Sequence, residues 1–245
     1  MPVAELVYPP VIGFARTVFA GLGLRFDITG VENIPRTGGA VLASNHVGYL
    51  DFTFVGLTAR PIKRLVRFMA KEAVFRHKVS GPLMRGMKHI PVDRSAGGAS
   101  YAAAVQALKD GELVGVFPEA TISRSFELKA FKTGAARMAA EAGVPVLPVI
   151  VWGSQRLMTK GRPRDFRRGK AISIAIGEPM TVSGDAEADT AELKARMGEL
   201  LGKVQANYPQ RPSGPADEWW LPARLGGSAP TLEQADELDK ADRER

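Results

Sequence analysis

A histidine and an aspartate five residues apart carry the first recognisable chemistry of this chain: His46 and Asp51, in the run SNHVGYLD at residues 44–51. An imidazole takes up a proton near neutral pH, and a carboxylate beside it can hold the tautomer and stabilise the imidazolium that forms. The pair therefore reads as a general base, His46, with Asp51 as its orienter. Within one regular helix, five residues would set the two side chains about 140° apart. His46 is accordingly expected where a short apolar strand, residues 40–43, gives way to a helix, with Asp51 in the first turns of that helix. Histidines at such junctions are commonly structural, so the pair alone does not define an enzyme.

Three further stretches follow apolar runs. In HIPVDR, residues 89–94, Arg94 places a forked permanent cation just past a strand, suited to a phosphate or carboxylate, or to an ion pair with Asp93. In VFPEATISRS, residues 116–125, a buried strand delivers Glu119, which is costly there unless it meets a substrate hydroxyl, an arginine or a backbone amine. Thr121, Ser123 and Ser125 follow as hydroxyls or turn caps, then Arg124, with Lys129 and Lys132 beyond. VPVLPV, residues 144–149, has no reactive group and is expected to shape an apolar wall, Pro145 and Pro148 fixing its backbone.

The elements that must position these groups alternate. Strands are predicted at residues 26–29, 40–43, 66–69, 89–92, 113–117, 146–152 and 171–176, and helices at 49–59, 99–108, 131–142 and 186–208, with a helical region broken at 80–82. This pattern predicts an α/β fold: a single domain with a mixed, largely parallel central sheet flanked by helices. Residues 1–24 form an N-terminal amphipathic helix, without a signal-peptide pattern and too short and interrupted to span a bilayer. It either lies in a membrane interface, with Phe14, Val18, Phe19 and Leu22 toward the acyl chains, or packs on the domain. Residues 25–208 form the main domain and 209–245 an extended C-terminal tail, anchored by Trp219 and Trp220 and ending in a charged, exposed helix.

Composition narrows the chemistry. No cysteine is present, which excludes disulfides and thiolate catalysis, and the three histidines lack zinc-site spacing, so metal-free acid–base catalysis is expected. The net charge of +7 calls for an anionic partner. Ten Lys or Arg between residues 60 and 94 face two acids, and seven between 156 and 170 face one, whereas residues 212–245 hold eight acids against four bases. The basic clusters suit phosphate groups on a small ligand, a lipid surface or nucleic acid, but they lack the interleaved aromatics of a nucleic-acid module.

In order and approximate spacing, NHVGYLD, HIPVDR, FPEATISRS and VPVLPV resemble the four motifs of the glycerolipid acyltransferases, the family of 1-acylglycerol-3-phosphate acyltransferases, over roughly residues 25–180. The resemblance implies that His46 deprotonates an acceptor hydroxyl and Asp51 orients it, that Arg94 binds the acceptor phosphate, and that Glu119 helps position the glycerol. Thr121 and Arg124 are the further substrate-binding candidates. It also implies an acyl-CoA or acyl carrier protein donor, a lysophospholipid acceptor, no cofactor beyond the acyl co-substrate, and a peripheral or monotopic position on the anionic cytoplasmic face of the cell membrane. No nucleic acid is expected. Direct transfer is favoured over an acyl-enzyme on Ser44, and backbone N–H groups at 47–49 or 119–121 are candidates for the oxyanion. Two departures from the usual FPEGTR stand out: Ala120 replaces glycine and Ile122 replaces arginine, with Arg124 two residues on as a substitute cation. The variant is also similar to the branch acylating phosphatidylinositol mannosides. Alternatives are therefore glycerol 3-phosphate, such a glycolipid or an aminolipid as acceptor, or a non-enzymatic basic protein that binds lipid or nucleic acid. His77 and His89 read as structural or surface residues.

Overall fold

A computed structural model describes residues 5–93, 97–242 and 244. Helix α1 (Tyr8–Gly21) opens with Pro9 and Pro10 in its first turn, where a missing N–H costs nothing, and precedes strand β1 (Arg25–Thr29). Then come β2 (Ala40–Ser44), α2 (Asp51–Thr58), β3 (Val66–Lys71), α3 (Glu72–Arg76), α4 (Ser80–Gly86), β4 (Ile90–Val92), α5 (Gly97–Lys109) and β5 (Leu113–Val116). The chain continues through α6 (Gly134–Ala142), β6 (Val146–Trp152), β7 (Ala171–Ile176), α7 (Ala186–Ala206) and α8 (Leu232–Ala241).

The seven strands form one sheet in the order β1-β7-β6-β2-β5-β3-β4. Only β6 and β7 pair antiparallel, so the sheet is mixed and largely parallel, with β2 in its interior. Alternate strand residues feed two cores. Val41, Ala43, Val114 and Ile150 face Leu108, Met138 and Met197 of α5, α6 and α7, while Leu42, Leu113, Leu147 and Ile174 face Phe19 of α1 and Phe54 of α2. The result is a single α/β domain with helices over both faces.

Four sequence expectations resolve locally. Residues 80–82 start α4 instead of breaking a helix, because Pro82 falls in the first turn. The stretch expected as an apolar wall, residues 144–149, leads into β6, the strand expected at 146–152, which is fully buried between β2 and β7. α1 packs on the domain through Tyr8 and Phe19, while Phe14 and Val18 of the same helix face solvent. In the C-terminal segment Trp220 is completely buried, with Arg156 stacked over its ring, and α8 is the charged helix anticipated, exposed except where Ala235 and Asp239 are buried. Among the described residues no helix is long and apolar enough to cross a membrane.

Candidate active site

His46 lies just beyond the C-terminal end of β2. Asn45 turns the chain out of the strand by clamping β6: its Oδ1 accepts from Val151 N (2.7 Å) and its Nδ2 donates to Val151 O (3.0 Å). The next five residues wrap around the Asp51 carboxylate, which is wholly buried. Asp51 Oδ2 accepts from Val47 N (2.7 Å) and Gly48 N (2.8 Å) and lies 3.0 Å from His46 Nδ1. Ser154, just past β6, donates its hydroxyl to Oδ1. Gly48 suits this closeness, since a Cβ there would stand 3.0 Å from Ser154 Oγ and 3.1 Å from Met158 O and would press its neighbours apart.

The electrostatics assign the tautomer. A carboxylate that faces Nδ1 makes that nitrogen the N–H donor and leaves Nε2 with its lone pair. The ring stacks on Phe117 at 4.2 Å between centroids, which fixes its plane, and its side chain keeps 21% exposure. His46 and Asp51 are therefore brought together in the base-and-orienter arrangement.

Glu119 meets the third of its anticipated partners, backbone amines. Oε1 accepts from His46 N (2.8 Å) and Oε2 from Lys129 N (3.0 Å), while Ser123 N donates to His46 O (2.7 Å). These bonds fasten the 117–129 loop to the His46 loop. Burial pushes the Glu119 carboxyl up to about 7; the two backbone donors work against that rise and the nearby Asp51 charge adds to it.

The remaining candidates divide. Thr121 is half-buried in the same loop, and its hydroxyl makes no hydrogen bond among the described residues. Ile122, at the family's arginine position, is buried. Arg124 is taken up by α8, its Nε 3.2 Å from Asp239 and its NH2 2.5 Å from Asp242. Arg94 lies outside the described residues. The N–H groups of Val47, Gly48 and Tyr49 are already committed, to Asp51 and to Met158 O (2.9 Å), which removes them as oxyanion donors and leaves those of Glu119 and Thr121. Ala120 between them holds φ at +57°, a left-handed conformation where the usual glycine is unstrained. His89 is structural: buried, with Nδ1 accepting from Phe68 N (3.0 Å), and held down at about 4 by burial and by the Arg67 charge.

Sequence reading did not identify Ser154 or Phe117. The only signal for Ser154 was its place two residues past the end of a buried apolar strand. An apolar-walled cavity of about 330 Å³ opens beside Phe117, lined by Pro118, Ala120, Met69, Tyr101 and Met138.

A histidine whose Nδ1 faces a buried carboxylate, at the C-terminal end of an interior parallel strand, is an arrangement that can serve as a general base. Residues 25–152 match the acyltransferase family, and the chain belongs to it. It is 32% identical over 173 residues to the 1-acyl-sn-glycerol-3-phosphate acyltransferase of Bacillus subtilis (strain 168), covering 70% of this chain and 82% of that one. To the protein of the same name from Borreliella burgdorferi it is 30% identical, over 63% of this chain and 61% of that one. The crystal structure of the 1-acyl-sn-glycerophosphate (LPA) acyltransferase PlsC from Thermotoga maritima superposes with a TM-score of 0.69 at 24% identity, covering 82% of this chain and 81% of that one, and shares the fold.

Proposed function

We propose that this protein moves a long-chain fatty acyl group from a thioester, acyl-CoA or acyl carrier protein, to the sn-2 hydroxyl of 1-acylglycerol 3-phosphate, giving phosphatidic acid. The observation that carries the reading is His46 with Nδ1 on the buried Asp51 and Nε2 unengaged. The names of the Bacillus and Borreliella relatives supply the acceptor.

In this mechanism Nε2 takes the acceptor hydroxyl proton as its oxygen bonds to the thioester carbonyl carbon. General-base help of this kind is worth about 10² to 10⁴-fold. The N–H groups of Glu119 and Thr121 receive the oxyanion. Collapse breaks the C–S bond, and the imidazolium returns the proton to the departing thiolate. Arg94 and Arg124 hold the phosphate, the free Thr121 hydroxyl contacts the acceptor, and Glu119 acts through the loop it fastens. No cofactor other than the acyl donor takes part, and nucleic acid has no role.

The protein works at the anionic cytoplasmic face of the cell membrane as a peripheral or monotopic enzyme. Support comes from the outward Phe14 and Val18 of α1 and from the cations Arg156, Arg167, Arg168, Lys170 and Arg211 that line a polar cleft of about 440 Å³. Purified protein given lysophosphatidate and oleoyl-CoA or oleoyl carrier protein should release the free thiol and form phosphatidate. Retention of most activity in His46→Ala would refute the assignment.

A second reading has its own observation. Buried Ile122 and an Arg124 held by α8 weaken the usual phosphate site and favour a larger acceptor, such as a glycolipid. An acceptor panel read by lipid mass spectrometry separates the two.

A further inference from the structure

Three cations from two separate loops converge on one carboxylate of α8. Arg124 Nε (3.2 Å), Lys129 Nζ (2.7 Å) and Lys160 Nζ (2.6 Å) all meet Asp239, which is 5% exposed. Asp242 takes further bonds from Arg124 (2.5 Å) and Lys160 (3.0 Å), and Asp236 one from Lys129 (2.6 Å). Both loops brace the catalytic segment directly. Ser123 N and Lys129 N reach His46 O and Glu119, and Thr159 Oγ1 donates to Val47 O (2.7 Å). Three cations aimed at one point suit the oxygens of a phosphate monoester at least as well as a carboxylate.

The apolar hold on α8 is thin. Of its ten residues only Ala235 and Asp239 are buried, while Leu232 and Leu238 face solvent. A helix of this length has little stability of its own, so the ion pairs decide where it sits.

We infer that Arg124, Lys129 and Lys160 form a phosphate-monoester site on the two loops that brace the His46 segment, and that α8 is an internal competitor filling it until an acceptor head group displaces it. The inference rests on the acceptor reading above and adds its regulation. Anion replaces anion, so the cations are never left bare.

The test uses the full-length protein with Asp239→Asn and, at a more exposed position, Asp242→Asn. With lysophosphatidate as acceptor, KM should fall about tenfold in Asp239→Asn, and less in Asp242→Asn, without loss of kcat. A binding arm needs no turnover. Glycerol 3-phosphate should speed amide hydrogen exchange across residues 232–241 of the wild type, and glycerol should not. If α8 merely fastens the C-terminus, glycerol 3-phosphate leaves that exchange unchanged and both variants lose melting temperature with KM unaltered or raised; this outcome overturns the inference. Opening of α8 by glycerol 3-phosphate without turnover of lysophosphatidate would remove the acceptor reading and leave the site standing. Turnover with no response of α8 or of KM would do the reverse.

Discussion

Ser154→Ala isolates the contribution of a residue 103 positions away from the aspartate it supports. Ser154 and Asp51 are both completely buried, and the hydroxyl is the partner of Oδ1, whereas Oδ2 keeps His46 Nδ1, Val47 N and Gly48 N. Removing a donor to a buried charged acceptor costs about 1.5–3 kcal/mol. In a chain of this size about 2 kcal/mol lowers the melting temperature by roughly 4–8 °C. Because three donors remain, the carboxylate keeps its place near His46, and the kinetic effect should stay at about tenfold in kcat, or ~1.4 kcal/mol, with KM unchanged. His46→Ala should lose about 10² to 10⁴-fold, and adding Ser154→Ala to it should cost nothing further in rate, since Ser154 acts only through the base. Thermal unfolding and steady-state kinetics on the four proteins of this cycle give every number. Full stability and full kcat in Ser154→Ala would refute the claim that Ser154 positions Asp51, as would independent, multiplicative losses in the double variant.

Glu119 gives a pH signature. Its folded carboxyl, raised by burial to about 7 from an ordinary 4.5, holds a proton that the unfolded chain has already released, so its stabilising contribution is fully present below about pH 4.5 and is lost as pH rises through 7. Glu119→Gln should flatten the fall in urea stability between pH 5 and 7.5 and should lower kcat, because the amide offers an N–H to one of the two backbone donors. Ala120→Gly relieves a left-handed alanine at φ +57° and should raise stability by about 0.5–1 kcal/mol in denaturant titrations, leaving kcat unaltered. Phe14→Ser deletes an outward aromatic, 72% exposed, and should weaken sedimentation with phosphatidylglycerol vesicles by roughly tenfold, on the scale of about 1.5 kcal/mol for one buried side chain, while leaving the melting temperature in place.

What could be read in the chain was what lies close together along it. His46 and Asp51 share one tight loop, so residue type and a five-residue spacing are enough to pair them. The alternating apolar segments likewise placed the strands, because burial on both faces writes a continuous apolar run. Glu119 was legible as a buried carboxylate in need of partners, but those partners, His46 N and Lys129 N, are main-chain groups that every residue carries. Backbone donors leave no mark in a sequence, and that is also why the oxyanion candidates at 47–49 could be removed only once Asp51 was seen to hold two of them. Ser154 was hidden for a different reason, since nothing distinguishes it from other serines until β6 is laid beside β2. The charge and exposure of α8 were legible, but its docked position was not. Asp236, Asp239 and Asp242 recur every three residues and so share one flank of the helix, the charged analogue of an apolar stripe. Such a stripe specifies a docked position only when matching cations lie elsewhere in the fold, and Arg124, Lys129 and Lys160 become neighbours only after the 117–129 and 153–160 segments have both been drawn to the His46 loop. The docking of α8 thus depends on the same backbone bonds that hold the His46 loop in place.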